Sequence, residues 1–179
     1  RQVRQMIEHI EGNSGAVYYT EEYRLLRSYG YLLLEPSEMT IDNKSYQFLE
    51  ELPTVDASIL FDLGDEFSLQ ASLLSFSEFE QAPQNDRIAY FDADLLSLPL
   101  SIRNWEEGDR FQPFGMNGQH KKLSNLFKDL KLSVFERAKA KVLMSEDNIV
   151  WVLGIRSDEK FKVRPNTKRV LQIILTNHP

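Results

Sequence analysis

The stretch ASILFDLGDEFSLQASLLSF (57–76) places two apolar runs on either side of Gly64-Asp65. A Gly-Asp pair between two such runs is typical of the tight turn of a β-hairpin. Short segments with the same character recur along the chain at 16–20, 23–28, 31–35, 88–92, 100–105, 141–145, 148–154 and 169–176. Because turn residues separate these segments at short intervals, the sequence predicts mostly antiparallel strands.

Helical patterns are fewer and shorter. Leu123, Leu126, Phe127 and Leu130 follow the i, i+3, i+4, i+7 spacing of one amphipathic helix. Ser133 precedes Glu136 by three residues, which is the capping-box pattern for the start of a second helix. Strands in runs with a few short helices between them predict an α+β fold.

The chain divides by composition into three segments. Apolar side chains at helical spacing within residues 1–13 predict the remaining helix of an upstream domain. Residues 14–86 are predicted to be an acidic, β-rich connecting region, with the loop-like stretch 36–45 inside it. The polar stretch 77–87 is predicted to be the boundary with a basic module at 87–179.

The charge is distributed unevenly. Residues 1–95 contain 6 Lys and Arg against 18 Asp and Glu, a balance of −12, whereas residues 96–179 contain 15 against 9, a balance of +6; together they give the net charge of −6. A basic region of this kind attracts polyanions, and Lys and Arg supply most nucleic-acid affinity by neutralising phosphates.

Several function classes are disfavoured by composition. The sequence has no cysteine, which rules out disulfides and thiolate chemistry, and no apolar run of membrane-spanning length. We therefore expect a cytoplasmic protein with no membrane partner. The three histidines lack metal-ligand spacing, and the acidic groups at 62–66 and 92–94 fit turns and caps better than a cation site. No bound cofactor or metal is expected in this chain.

Two arginines flank a predicted turn at residues 107–109. Arg103 and Arg110 could extend from the two arms of a hairpin toward a common ligand. They could equally form ion pairs with the neighbouring carboxylates of Glu106, Glu107 or Asp109. The residues leave both interpretations open.

The next stretch, PFGMNGQHKK (113–122), combines glycines with two lysines. Glycines permit the backbone to approach a phosphate closely, although a solvated loop would have the same composition. No nucleotide-binding phosphate loop is present. The cations that we predict to contact a polyanion all lie within one short module and are Arg103, Arg110, Lys121, Lys122, Lys128, Arg137 and Arg156.

An ordered set of motifs then matches a known family. Its members are Leu-Ser-Ile-Arg at 100–103, Gly-Asp-Arg-Phe at 108–111, the glycines at 115 and 118, Lys-Lys-Leu at 121–123, Phe-Lys-Asp at 127–129, Arg137, and Trp-Val-Leu-Gly-Ile-Arg at 151–156. This region resembles the C-terminal module of the bacterial tRNA(Ile)-lysidine synthetase family. The stretch 14–35 is similar to the connecting region of the same family.

The resemblance implies a ligase that uses ATP with Mg²⁺ and lysine to convert the wobble cytidine of CAU-anticodon tRNA(Ile) to lysidine. It also implies a C-terminal fold like a domain of the phenylalanyl-tRNA synthetase β chain, RNA contacts by the seven cations, and a possible homodimer. The family's catalytic motif, Ser-Gly-Gly-x-Asp-Ser in an N-terminal ATP-pyrophosphatase domain, is absent from this sequence. No catalytic residue is assigned, and the chain alone is expected to be inactive.

One alternative comes from a different class of protein. The chain could be a non-catalytic structural or protein-interaction module in which the acidic and basic halves pack on each other. Mutual neutralisation would then account for the charge asymmetry without RNA. Salt-sensitive binding of tRNA would separate the two hypotheses.

Overall fold

The computed structural model describes residues 17–28, 31–37, 44–64, 67–83 and 85–177. The helix predicted over residues 1–13 lies outside these ranges. The chain divides into two units, one comprising residues 1–42 and 125–139 and the other residues 43–124 and 140–179.

The first unit contains a three-stranded antiparallel sheet. Its strands are β1 (Val17–Tyr19), β2 (Tyr23–Ser28) and β3 (Tyr31–Pro36), in the order β1-β2-β3. The predicted meander is therefore confirmed. The first turn is tight because the hydroxyl of Thr20 accepts a hydrogen bond from the Tyr23 backbone N–H at 2.8 Å.

Two helices follow the predicted patterns. The helix α2 (Leu123–Asp129) buries the side chains of Leu123, Leu126 and Phe127. It ends before Leu130, whose side chain is 44% exposed, because Lys131 adopts a positive φ of 55° that stops the helix. The prediction that Leu130 extends the apolar stripe was wrong.

The helix α3 (Val134–Lys139) begins at the expected capping box. Ser133 accepts a hydrogen bond from the Glu136 backbone N–H at 3.1 Å, and the Glu136 carboxylate accepts one from the Ser133 backbone N–H at 2.7 Å. Both donors at this helix start are thus satisfied by side chains.

The second unit contains two larger antiparallel sheets. One has the order β5-β6-β14-β7 and the other β13-β12-β11-β8-β4. The strands are β4 (Tyr46–Leu49), β5 (Ser58–Asp62), β6 (Phe67–Leu74), β7 (Ile88–Asp92), β8 (Leu100–Asn104), β11 (Lys141–Ser145), β12 (Asn148–Val152), β13 (Arg156–Ser157) and β14 (Val170–Asn177). A two-stranded ribbon, formed by β9 (Arg110–Phe111) and β10 (Lys121–Lys122), accompanies them. The predicted α+β class is confirmed.

One hydrophobic core joins the two larger sheets. Phe91 from β7 and Leu171 from β14 belong to the same buried cluster as Ile102 from β8, Leu143 from β11 and Trp151 from β12. Each of these side chains is 2% exposed or less. Burial of large apolar side chains between two sheets is the main term that holds such a unit together.

The hairpin predicted from residues 57–76 is present. The strands β5 and β6 pair from Ser58 opposite Ser72 to Asp62 opposite Ser68. Gly64, in the connection, has a φ of +59°, a conformation that glycine adopts without strain.

The polar stretch 77–87 contains a feature that the sequence analysis missed. The helix α1 (Phe76–Glu80) begins with a capping box formed by Ser75 and Glu78. The carboxylate of Glu78 accepts a hydrogen bond from the Ser75 backbone N–H at 2.7 Å. The stretch is therefore partly helical and not simply a polar connection.

Sheet pairing crosses the predicted boundary at residue 87. The strand β6 pairs with β14 along its whole length, and β4 pairs with β8. Strands from the acidic and basic segments thus complete the same sheets. The division into segments of different role stays a prediction about charge and function.

Candidate nucleic-acid interface

The β9–β10 ribbon places two cations directly opposite each other. Arg110 is the Cα partner of Lys122, and Phe111 is the partner of Lys121. Phe111 is 2% exposed, whereas Arg110 and Lys122 are both exposed to solvent. Alternation along a strand therefore buries one position of the ribbon and directs its cationic pair outward.

Like charges at directly opposed positions destabilise an antiparallel pair, because their Cβ atoms lie only about 4.5–5.5 Å apart. Within the ranges that the structure describes, neither Arg110 nor Lys122 forms an ion pair with a carboxylate. An anion bound between the two side chains would relieve the repulsion. The ribbon has the electrostatic character of a phosphate-binding surface.

The loop between the two strands is held in a defined shape. Gly115, Asn117 and Gly118 all have positive φ values, of 85°, 51° and 76°. Two successive turns close within it, with Met116 N–H donating to the Pro113 carbonyl and Gln119 N–H donating to the Met116 carbonyl, each at 3.1 Å. The glycines thus serve the turns of this loop.

The same loop is anchored to residues 157–159 through its backbone. The Gln112 N–H donates to the Asp158 carboxylate at 2.7 Å. The Phe114 N–H donates to the Ser157 carbonyl at 2.9 Å, and the Gly115 N–H donates to the Glu159 carboxylate at 2.9 Å. Three hydrogen bonds within four residues fix the loop against residues 157–159 of the same unit.

The pKa values of the two anchoring carboxylates, Asp158 and Glu159, shift in opposite directions. Burial raises the pKa of Asp158, although hydrogen bonds from the backbone N–H groups of Gln112 and Lys160 oppose the shift. The Lys162 ammonium, which bonds to Glu159, and the N–H of Gly115 lower the pKa of Glu159. Glu159 therefore anchors the loop as a carboxylate stabilised by a neighbouring cation.

Arg103 does not belong to a hairpin with Arg110. Its strand β8 pairs with β4 and β11, so the proposed two-armed arrangement was wrong. The Arg103 guanidinium instead donates to both carboxylate oxygens of Asp109, each at 2.9 Å. The bonded carboxylate raises the pKa of Arg103, and the Asp109 carboxylate also accepts a bond from the Glu106 N–H at 2.8 Å. The ion-pair interpretation of Arg103 is confirmed.

The other predicted cations differ in environment. Lys128 on α2 and Arg156 on β13 are exposed, and Lys121 is half-buried. Arg137 on α3 is also half-buried, and its Nε donates to the Leu132 carbonyl at 2.8 Å. The structure brings together Arg110 and Lys122. Lys128 and Arg137 belong to the first unit, whereas the other five cations belong to the second.

Sequence reasoning missed the apolar part of this surface. The side chains of Phe114 and Met116 are 48% and 37% exposed on the anchored loop. The available signal was the position of an aromatic residue between Pro113 and Gly115, since a large apolar side chain in a turn often has no core to enter. An exposed aromatic beside cations is typical of nucleic-acid surfaces.

Other classes of site find no support in the described ranges. No group of three or more His, Asp or Glu side chains there could hold a metal ion. No described helix is long and apolar enough to span a membrane.

Comparison with known proteins supports the motif-based resemblance. Residues 100–174 match the sequence model of the TilS substrate C-terminal domain. The chain is 38% identical over 157 residues to a tRNA(Ile)-lysidine synthase of Parabacteroides distasonis, covering 88% of this chain and 34% of that protein. It is 28% identical over 170 residues to the corresponding protein of Bacteroides thetaiotaomicron, covering 95% of this chain and 35% of that protein.

The fold has a match among solved structures. A crystal structure of a TilS C-terminal domain superposes with a TM-score of 0.59 at 22% identity, covering 76% of this chain and 99% of that one. The sheets and short helices therefore have the fold of a TilS C-terminal domain. Residues 100–174 are the part of the chain whose sequence matches the TilS substrate C-terminal domain. The chain spans about a third of the length of the curated relatives it matches.

Proposed function

We propose that this chain is the tRNA-contacting part of a tRNA(Ile)-lysidine synthase. The observation that carries the proposal is the opposed, exposed pair of Arg110 and Lys122 on the β9–β10 ribbon. The names of the relatives supply the substrate class, and the ribbon supplies a surface suited to it.

The chemistry of the ribbon favours the RNA backbone as its target. Double-stranded RNA presents phosphates and 2′-hydroxyls, while its deep major groove is closed to side chains. An arginine and a lysine on neighbouring strands can contact one phosphate together or two phosphates in succession. Lys121, Lys128, Arg137 and Arg156 provide further phosphate contacts in this proposal. Arg103 contributes by holding Asp109, and thereby the turn that leads into β9.

In the complete enzyme, ATP with Mg²⁺ and lysine are the other reactants, and CAU-anticodon tRNA(Ile) is the RNA. The activating chemistry belongs to an N-terminal ATP-pyrophosphatase domain of the same polypeptide. We propose a cytoplasmic enzyme and include the homodimer as a possible assembly. The present chain contributes RNA binding and no reacting group.

Binding of tRNA by the purified chain tests the proposal directly. Affinity should fall steeply with salt, and Arg110→Ala or Lys122→Ala should each reduce the slope of log affinity against log salt by about 0.7 to 0.9. Lys168→Ala is the matched control, because Lys168 is exposed in the turn before β14 and away from the ribbon strands in sequence. A salt slope that is unchanged in both ribbon variants would contradict the proposal.

The division of labour within the enzyme needs a separate assay. The chain incubated with ATP, Mg²⁺, labelled lysine and tRNA(Ile) should incorporate no lysine. Addition of a catalytic domain in trans would serve as the positive control. Incorporation by the chain alone would show that it contains catalytic residues that we have not assigned.

The alternative of two oppositely charged halves packing together is less favoured. Strands from the two halves are joined by backbone pairing, as in β6–β14 and β4–β8. Their apolar side chains also share one core. Association of the halves therefore does not require Arg110 or Lys122, which stay available for an external anion.

A further inference from the structure

A cleft in the second unit lies beside the anchored loop and is not used by the ribbon. Its volume is about 370 Å³, which is within the range of small-molecule sites. The side chains that matter for its chemistry are Phe79, Asp86, Tyr90, Phe114, Trp151 and Arg156. The cleft thus combines aromatic walls with one carboxylate and with cations, of which Arg156 is the one without a carboxylate partner in the described part of the chain.

The inner wall of the cleft is fixed by packing and hydrogen bonds. Trp151 is 2% exposed and Tyr90 is 9% exposed. The Tyr90 hydroxyl donates to the Pro83 carbonyl at 2.6 Å, and the Phe79 ring stands nearly edge-on to the Tyr90 ring at 5.2 Å. A ligand would therefore meet a preformed aromatic surface, which lowers the entropy loss on binding.

The outer wall contains an aromatic ring that remains in solvent. Phe114 is 48% exposed although its backbone is bonded to Ser157 and the next residue is bonded to Glu159. An exposed ring on an anchored loop loses little freedom when a planar ligand stacks on it. Stacking of a nucleobase on an aromatic side chain is sequence-tolerant and strong.

The charges of the cleft distinguish the two ends of a ligand. Arg156 is exposed and pairs with no carboxylate in the described part of the chain. Lys162 also lines the cleft, but its ammonium is bonded to Glu159. The Arg156 guanidinium can therefore bind a phosphate, while the Asp86 carboxylate can accept a hydrogen bond from an exocyclic amine of a base.

From this arrangement we infer that the cleft binds a single unpaired nucleotide, with its base against Phe114 and its phosphate at Arg156. The inference deepens the proposed function, on which it rests, because it adds an unpaired nucleotide to the backbone contacts of the ribbon. A base in a duplex cannot enter, since both of its faces are occupied by neighbouring bases. A purely apolar ligand would make no use of Arg156 and Asp86, which line the same cleft.

Two RNA hairpins of identical stem test the inference, one blunt and one with a single unpaired nucleotide at its 3′ end. The chain should bind the second at least about fivefold more tightly, as expected for one base stacked on an aromatic side chain. Phe114→Ala should remove that preference while leaving affinity for the blunt hairpin nearly unchanged. Arg156→Ala should also remove the preference, and it should weaken binding of both hairpins because Arg156 belongs to the proposed set of phosphate contacts. Free AMP is titrated in parallel to ask whether a nucleotide outside RNA is the ligand.

Control variants separate stacking from general effects. Met116→Ala removes a neighbouring apolar side chain of the same loop and should keep the preference. Phe114→Leu preserves apolar area without an aromatic face and should lose it. Because Leu is a milder change than Ala, it also keeps the test valid if Phe114→Ala fails to fold.

Each result has a separate meaning. A preference that disappears in Phe114→Leu supports the inference with RNA as the source, and AMP that binds and competes with the overhang supports it with a free nucleotide as the source. Equal binding of both hairpins with no binding of AMP contradicts nucleotide binding in the cleft and leaves the proposal for the ribbon intact. Failure to bind either hairpin contradicts the proposed function. The binding of AMP then tests by itself whether the cleft is a nucleotide site.

Discussion

The three-stranded sheet of the first unit and the β9–β10 ribbon of the second unit use cations in opposite ways. In the first unit, Glu35 bonds to Arg24 at 3.0 Å and to Lys139 at 2.6 Å. In the ribbon, Arg110 and Lys122 face each other without a carboxylate between them. The comparison shows that the partner of a cation, and not its presence in a basic stretch, indicates its role.

Arg24 of the first unit is integrated into packing. The Arg24 guanidinium lies over the Phe135 ring, 4.5 Å from its centroid, and its side chain is only 15% exposed. An arginine in that position stabilises α3 on the sheet through charge and through its apolar stem. It would be poorly accessible to an external phosphate.

The largest expected effect comes from removing the shared carboxylate. Glu35→Ala leaves Arg24 largely buried without its anion, and should lower the free energy of unfolding by about 2 to 3 kcal/mol. Urea denaturation measures the change, with Glu22→Ala as the exposed control. A loss equal to that of the control would place Glu35 among the solvated surface charges.

The next effect concerns the turn before β9. Asp109→Asn keeps the side chain's size and its bond to the Glu106 N–H but removes the charge that Arg103 grips, so we expect a loss of about 1 to 2 kcal/mol. The free energy of unfolding is compared with that of Glu107→Gln on the same turn.

The same variant tests the role of Arg103 in RNA binding. If Arg103 acts only by holding the turn, the slope of log affinity for tRNA against log salt should not become steeper in Asp109→Asn. A steeper slope would mean that the released guanidinium contacts phosphate, which would sharpen the comparison by moving Arg103 into the binding set.

A smaller, pH-dependent effect is expected at the loop anchor. The raised pKa of Asp158 means that the folded chain binds this proton more readily than the unfolded chain. Its contribution to stability is therefore fully present below the ordinary pKa of 3.8 and is lost as the pH rises through the higher folded value.

Asp158→Asn removes this titration. The stability of the original chain relative to the variant should fall as the pH rises from about 4 to 7. Urea denaturation across that range measures it, and hydrogen exchange at the Gln112 amide reports on the anchor itself. A relative stability that rises with pH would contradict the sign of the shift.

The smallest effect belongs to the ribbon. Lys122→Gln relieves the repulsion with Arg110 and should stabilise the chain by about 0.2 to 0.5 kcal/mol while weakening tRNA binding. Lys168→Gln, the control, should change neither property appreciably. A variant that lost stability and kept its affinity would show that Lys122 is a structural cation like Lys139.

Local signals predicted much of the fold. The capping box at Ser133 and Glu136, the Gly64 turn and the run of short strands were all correct, because each depends on residues close in sequence. The motif at 100–156 also pointed to the family whose sequence model matches residues 100–174. The helix at 76–80 had an equally local signal in Ser75 and Glu78, and was missed because its polar surroundings resembled a connection.

Long-range pairing was the part that local patterns could not supply. One of the two interpretations of Arg103 placed it across a turn from Arg110, but β8 pairs with β4 and with β11, which are both distant along the chain. The exposure of Phe114 likewise depends on where residues 157–159 hold its loop. The RNA contacts of the seven cations, the three-segment division and the helix at 1–13 stay predictions.

The position of β14 has a consequence for the order in which the protein can assemble. This strand, the last that the structure describes, lies in the interior of its sheet between β6 and β7. During synthesis the β5–β6 hairpin and β7 leave the ribosome first, yet neither can acquire its shared neighbour until residues 170–177 have emerged. The apolar faces awaiting Val170, Leu171 and Ile173 stay uncovered in that interval. Closure of this sheet therefore has to wait for β14, and the nascent chain is most vulnerable to aggregation just before that strand is added.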